Sequence, residues 1–329
     1  MKQKMVWLRP LLGLLAALLL LLLIFGKPQI WQYLENLLGQ QEPAAEPDEP
    51  QFYLTLQHVA KSNAANETDE QSEQSEQIEL EEAVVGFVAA EMPASYDEAA
   101  LAAQAVAARS YAWHKQLTDG QVCDNSAHCL AYLDEAGRRK RWGKHFAEYE
   151  AKIRQAAAET AGMVLSKDGE VLPAYFHAAC GGMTESPANG FGGANLWPAA
   201  ACYWEANSSP SGCFWPKAEL AERLQLNQTE LPLLYISAST PSGRVKELRC
   251  GSRSWSGQEF RQLLGLPSSR FSWLSGQEGF WFTCQGFGHG VGLCQQGCGG
   301  LAAQGADWQQ ILNVYYPGCQ IENLTETTN

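Results

Sequence analysis

Leu11 to Phe25 is almost wholly leucine, alanine and isoleucine, and Val6 to Leu8 extend the apolar run on the other side of Arg9 and Pro10. Roughly 20 apolar residues span a bilayer, so the pattern predicts a signal-anchor helix within residues 1–34. Lys2, Lys4 and Arg9 precede the run, which sets the basic end inside and the C-terminus outside. A removed signal peptide is the alternative, but no Ala-x-Ala site follows Gly26. Residues 35–80 hold no sustained apolar period and predict a disordered linker, apart from a weak alternation at 52–60 that suits one strand. Apolar positions return at 84, 85, 87, 88 and 92, a helix over Glu81 to Met92 that Pro93 ends. Ser95 with Glu98 offers a capping box for a second, alanine-rich helix through Ala112. Ile153 to Met163 reads as a helix ending at Gly162. Met163-Val-Leu and Val171 to His177 then flank an Asp-Gly turn as a hairpin. Leu233 to Ala238 and Arg244 to Cys250 form another around Thr-Pro-Ser-Gly. A helix follows at 256–265, with Ser256 or Gly257 at its cap, and a last one runs from Leu301 to Tyr316. Helices mixed with hairpins predict a single α+β domain over 81–320, followed by a polar tail at 321–329.

Charge sharpens these boundaries. Residues 35–82 hold thirteen Asp or Glu and one Lys, whereas residues 83–329 hold 18 basic and 23 acidic side chains. Most of the net charge of −13 therefore belongs to the linker, a self-repelling spacer with too few apolar residues to fold alone. No dominant basic face is left for nucleic acid. The basic run Arg138 to Lys144 reads as a solvated turn. Ten cysteines all lie beyond the apolar run, which fits an exported, oxidising location with most of them paired. Cys202 with Cys213 is the nearest-neighbour pairing.

Three stretches carry candidate chemistry. In Gly286-Phe-Gly-His-Gly-Val-Gly-Leu-Cys-Gln-Gln-Gly297, glycines let the backbone fold tightly around His289, with Gln295 as a two-way hydrogen-bonding group. Glu91 sits at a kink between two helices, a place that holds a carboxyl group rigidly at a surface. Cys123, His128 and Cys129 suit tetrahedral zinc, or the two cysteines suit a disulfide. A Ser-His-acid triad is unsupported, for no serine lies in a nucleophile elbow. Neither is there a His-Glu-x-x-His helix for a zinc peptidase. Cys180 and His177 as a nucleophilic pair are disfavoured by their placement along one strand.

Four segments occur in order: Glu91-Met-Pro93 with Ala-Ala-Arg109-Ser-Tyr111, Cys123 to Cys129, Tyr175-Phe-His177-Ala-Ala-Cys180-Gly-Gly-Met-Thr184, and the glycine loop. Together they resemble the SpoIID/LytB family of peptidoglycan-acting proteins. The resemblance implies a lytic transglycosylase that cleaves glycan strands stripped of stem peptides and leaves 1,6-anhydro ends. Glu91 maps onto the catalytic acid. Arg109 would orient a carboxylate or lactyl group, or else form a salt bridge; Tyr111 is a second contact or a core aromatic. Tyr175, His177 and Thr184 would line the cleft. His289 and Gln295 would bind sugar or N-acetyl groups, with a loop-bracing His289 as the alternative. Some members carry zinc near the Cys123 segment, and His114 is the candidate extra ligand, although its spacing matches poorly. The chemistry itself needs no cofactor. A LytB-like role, binding the wall and enhancing an amidase partner without catalysis, is the rival function.

Overall fold

The computed structural model describes residues 51–59, 74–126, 128–202 and 210–327. The expected anchor at 1–34 lies outside them, as does most of the acidic linker. Among the described residues no helix is long and apolar enough to cross a membrane.

Chain order opens with β1 (Tyr53–His58), β2 (Gln74–Glu79), α1 (Leu80–Glu91), α2 (Glu98–Asp119) and β3 (Val122–Cys123). β2 pairs antiparallel with β1, whose other edge takes β3 in parallel. Leu54 and Leu56 of β1 are fully buried. The folded unit therefore begins at Phe52 rather than at residue 81. The central element is α2, with every residue from Ala100 to Ala112 buried. Seven of those thirteen are alanines, and small side chains on all faces let several neighbours approach at once. Gly120, at φ 73°, ends the helix in the left-handed conformation that glycine adopts without steric cost. Its start differs from the capping-box expectation: Asp97 is the N-cap and makes no side-chain cap.

α3 (Glu135–Trp142) and α4 (Phe146–Glu159) pack on α1 and α2. The basic run is thus no solvated turn. Arg138 is fully buried, donating to Glu150 at 2.9 and 3.1 Å and to Glu82 at 3.0 Å. β4 (Met163–Lys167) and β5 (Glu170–Val171) form the expected hairpin, turning through Asp168 (φ 54°) and Gly169 (φ 80°). β6 (Phe176–His177) and α5 (Pro187–Gly190) follow.

A second lobe then intervenes with a core of its own. It comprises β7 (Ser211–Pro216), α6 (Lys217–Leu224), β8 (Tyr235–Ser239), β9 (Val245–Cys250), β10 (Arg253–Ser256), α7 (Gly257–Leu264), β11 (Phe271–Ser275) and β12 (Gly279–Cys284). Leu220, Leu248, Phe260 and Phe282 are fully buried at its centre. Ser256 caps α7 through a complete capping box with Glu259. Two three-stranded sheets, β10-β9-β8 and β11-β12-β7, enclose this core.

The chain returns to the first lobe as β13 (Leu293–Cys294), which pairs in parallel with β6. α8 (Gln295–Ala303) and α9 (Trp308–Tyr315) replace the single expected helix, parted at Gly305 (φ 89°). The polar tail is in fact structured. β14 (Gln320–Asn323) adds an edge to β4, and α10 (Leu324–Thr327) begins with a fully buried Leu324.

Candidate functional site

Glu91 is the last residue of α1. Met92 adopts an extended conformation (φ −119°, ψ 144°), as the residue before a proline prefers, and this turns the chain away from the helix. Glu91 Oε1 accepts the Ala131 amide at 2.8 Å. Burial raises its pKa above the ordinary carboxylate value, against the Ala131 hydrogen bond and the Arg141 charge, which lower it. Arg141 itself donates to the carbonyls of Ala89 and Ala90, so it caps the C-terminus of α1 and does not pair with Glu91.

Glu91 opens onto a cleft of about 990 Å³ between the lobes, at the upper end of the range for ligand pockets. Tyr111, His128, Tyr175 and His177 line it from the first lobe; Gln258, Arg261, Leu266 and Pro267 line it from the second. Phe191 and Phe287, 51% and 59% exposed, also line it. Among the described lining residues Glu91 is the sole carboxylate. Glu185, in an adjoining pocket of about 350 Å³, is engaged by Ser242 at 2.6 Å and the Ser186 amide at 2.9 Å.

The glycine loop forms one wall, and its glycines answer to close approach. At Gly292 (φ 73°) a Cβ would stand 1.9 Å from the Tyr175 carbonyl oxygen, where β13 enters its pairing with β6. At Gly290 (φ 85°) a Cβ would strike the buried Arg244 guanidinium at 2.3 Å. His289 Nδ1 accepts the Val291 amide at 3.0 Å, and its ring also bonds to the Phe176 backbone. Burial pushes its pKa down to about 4, so the imidazole is neutral and braces the loop while its edge lines the cleft. Gln295, at the start of α8, lines the cleft too and donates to Gln104 at 3.4 Å. Tyr175 packs against Phe191 in a tilted contact, 4.7 Å between centroids, and meets Tyr111 edge-on at 5.8 Å.

Against this geometry the relatives are informative. A family model described as Stage II sporulation protein matches residues 68–166. Stage II sporulation protein D of Bacillus subtilis (strain 168) is 30% identical over 269 residues, 77% of each chain. The chain belongs to the SpoIID family. The Stage II sporulation protein D of Bacillus amyloliquefaciens is 30% identical over 261 residues, 74% of each chain. An uncharacterized protein of Brachyspira hyodysenteriae is 31% identical over 258 residues, covering 74% of this chain and 67% of its own.

In this SpoIID-family chain two of the expected contact residues lie away from the cleft. Arg109 is fully buried and holds Glu81 through two hydrogen bonds of 2.8 and 2.5 Å, with further bonds to the carbonyls of Met163 and Ala157. Thr184 is fully buried, its hydroxyl accepting the Ala200 amide at 2.8 Å. Both are framework residues. The Cys202–Cys213 pairing is absent as well: Cys202 joins Cys180 and Cys294 in the first lobe, whereas Cys213 stands on β7 opposite Phe282. All ten cysteines are unbridged.

Cys123, His128 and Cys129 do converge. His128 Nδ1 is 3.3 Å from each sulfur, near the edge of about 3.6 Å that zinc–sulfur and zinc–nitrogen bond lengths give a tetrahedron. This donor set fits zinc. His114 does not belong to it, since its Nδ1 is bonded to the Val171 carbonyl at 2.8 Å and its ring lies outside the cluster. The second-lobe wall, Gln258 to Pro267, escapes sequence reasoning, for nothing in a capped amphipathic helix marks it as facing a site 170 residues upstream. Phe287 carries a local signal, a large aromatic between two glycines.

Proposed function

We propose that the chain is a peptidoglycan lytic transglycosylase with Glu91 as its single acid and base. SpoIID membership supports a sporulation-related, cell-wall role. The observation that carries the finer reading is the partly desolvated carboxyl of Glu91, the one carboxylate among the described lining residues, in a cleft with exposed aromatic rings. A hydrolase that activates water ordinarily needs two carboxylates. One suffices when the sugar's own 6-hydroxyl is the nucleophile.

Because Oε1 accepts the Ala131 amide, the acidic proton resides on Oε2. That proton passes to the glycosidic oxygen as the C1–O bond breaks, and the leaving sugar departs with a free hydroxyl. The 6-hydroxyl then attacks C1 and returns its proton to the Glu91 carboxylate, closing a 1,6-anhydro ring. Phe191 and Phe287 offer apolar surface to the sugar rings, and Tyr111 and Gln295 supply polar edges, while His177 is held in the wall by the Val291 carbonyl. No cofactor takes part. Cys123, His128 and Cys129 would hold a structural zinc that fixes the His128 segment at the cleft rim. Purified full-length chain should then contain zinc, and a Cys123→Ser/Cys129→Ser variant should carry less by elemental analysis; equal content would remove the metal from this loop.

Denuded glycan incubated with the protein and analysed by mass spectrometry should yield 1,6-anhydro saccharides. Reducing ends would indicate a hydrolase, and intact glycan together with stimulation of a wall amidase would indicate the enhancer role. We further propose attachment to the membrane through residues 1–34, with the folded unit outside the cytoplasm. The full chain should sediment with membranes with its N-terminus intact; a mature protein starting near residue 27 would contradict this.

A further inference from the structure

Beneath the cleft floor lies a second cluster of soft donor atoms, separate from the Cys123 loop. His177 ends β6 and Cys294 ends β13, and the two stand in register across the parallel pair. Cys180 follows three residues after His177. A ring nitrogen of His177 and the sulfurs of Cys180 and Cys294 all lie within 4.8 Å of one another. The Cys202 sulfur is hydrogen-bonded to both of those thiols and stands 3.2 Å from the Tyr315 hydroxyl. All four side chains are buried.

Three details go beyond a chance gathering of core cysteines. His177 Nδ1 is 3.1 Å from the Val291 carbonyl, which only accepts, so Nδ1 carries the proton and Nε2 carries the lone pair. Nε2 is buried without a hydrogen-bond partner, an arrangement that native interiors rarely leave unexplained. It is also how a metal-bound imidazole is oriented, with its other nitrogen donating to a carbonyl. Backbone amides point at the sulfurs: Gly182 N–H at Cys180, 3.3 Å, and Gly297 N–H at Cys294, 3.4 Å. Cys294 is moreover the N-cap of α8. Finally, space is kept for Cys202, since a Cβ at Gly297 would stand 2.4 Å from its sulfur.

We propose that His177, Cys180 and Cys294 hold a zinc ion that locks the β6–β13 pair beneath the cleft, with Cys202, which lies outside that mutually close set, drawn in as the fourth ligand. Three sulfurs and one nitrogen are the donor set of a structural zinc with no open position. A disulfide would use two of the three sulfurs and leave Nε2 unsatisfied, whereas a divalent ion would engage Nε2 together with the sulfurs. The protons of the coordinating thiols are released to solvent as the metal binds. The site is independent of the proposed reaction and of the Cys123 cluster.

The test uses the full chain carrying Cys123→Ser and Cys129→Ser, purified without chelator from zinc-supplemented cells. Elemental analysis should find about one zinc per chain. Addition of Cys294→Ser, or separately Cys202→Ser, should lower that content several-fold. Replacement of the zinc by cobalt(II) in the parent double variant should produce the intense thiolate-to-cobalt charge-transfer absorption of a sulfur-rich tetrahedral site. This last readout holds even if a further cysteine variant fails to fold. A metal-free double variant, a mapped disulfide among Cys180, Cys202 and Cys294, or bound cobalt without the charge-transfer band would each overturn the proposal.

Discussion

Glu91→Gln is expected to abolish release of 1,6-anhydro products while the protein stays folded. The amide is nearly isosteric, and its carbonyl oxygen still accepts from Ala131, but it has no proton to donate and cannot take one back. Loss of a positioned general acid costs roughly 10²–10⁴-fold in rate, and here the same group serves both halves of the reaction, so the upper end is expected. The pH profile follows from the direction of the shift. Burial lifts the Glu91 pKa above its ordinary value, so the acid form persists to higher pH than in an exposed glutamate. Cleavage should fall as pH rises through that raised value. Stability carries the matching sign: a carboxyl with a raised folded pKa opposes folding once pH climbs past the unfolded value, and the full effect is present above the folded one. The Gln variant should therefore be no less stable than the parent at neutral pH. Retained cleavage by Glu91→Gln would eliminate the single-acid mechanism.

What the sequence discloses about this site is what local chemistry enforces. Glu91 before Met-Pro is legible because proline constrains the residue before it, and the helix does end there. The glycine loop is legible because a run of positive-φ residues excludes other side chains. The Asp-Gly hairpin at 168–169 and the Ser256 capping box are equally local. Other features depend on partners far along the chain. β2, Gln-Ser-Glu-Gln-Ile-Glu, is mostly exposed along an edge of its sheet, so it has no buried face to imprint an apolar alternation. It looks like linker and is a strand. Arg138 sits in a run of four basic residues that suggests solvent, yet Glu150 and Glu82 draw it into the interior. The second lobe is hidden for the same reason: its hairpins and helix are visible singly, but nothing in their pattern says that they close around a separate core.

Arg109→Ala should separate framework from site most sharply, because the sequence left Arg109 open between a substrate contact and a salt bridge, and the fold buries it in an ion pair with Glu81. Its guanidinium ties α1 to α2 through Glu81, and reaches the Ala157 carbonyl in the last turn of α4 and the Met163 carbonyl at the start of β4. Truncation leaves the Glu81 carboxylate without its cation and strands acceptors in a buried space. Removing one partner of a buried ion pair costs roughly 3–5 kcal/mol, with each unsatisfied buried acceptor near the ~1–3 kcal/mol range. Glu81 keeps partial access to water, its side chain 30% exposed, which moderates the first cost toward the lower end. A loss of about 3–4 kcal/mol is a large share of a domain's typical stability. Lysine should not rescue it, since a point charge cannot meet Glu81 in fork geometry while also reaching two carbonyls on the far side. Urea unfolding of the parent, Arg109→Ala and Arg109→Lys should show the midpoint falling in both variants. Cleavage measured at low temperature, per folded molecule, should change little. A variant of unaltered stability whose KM for glycan rises steeply would instead return Arg109 to the substrate.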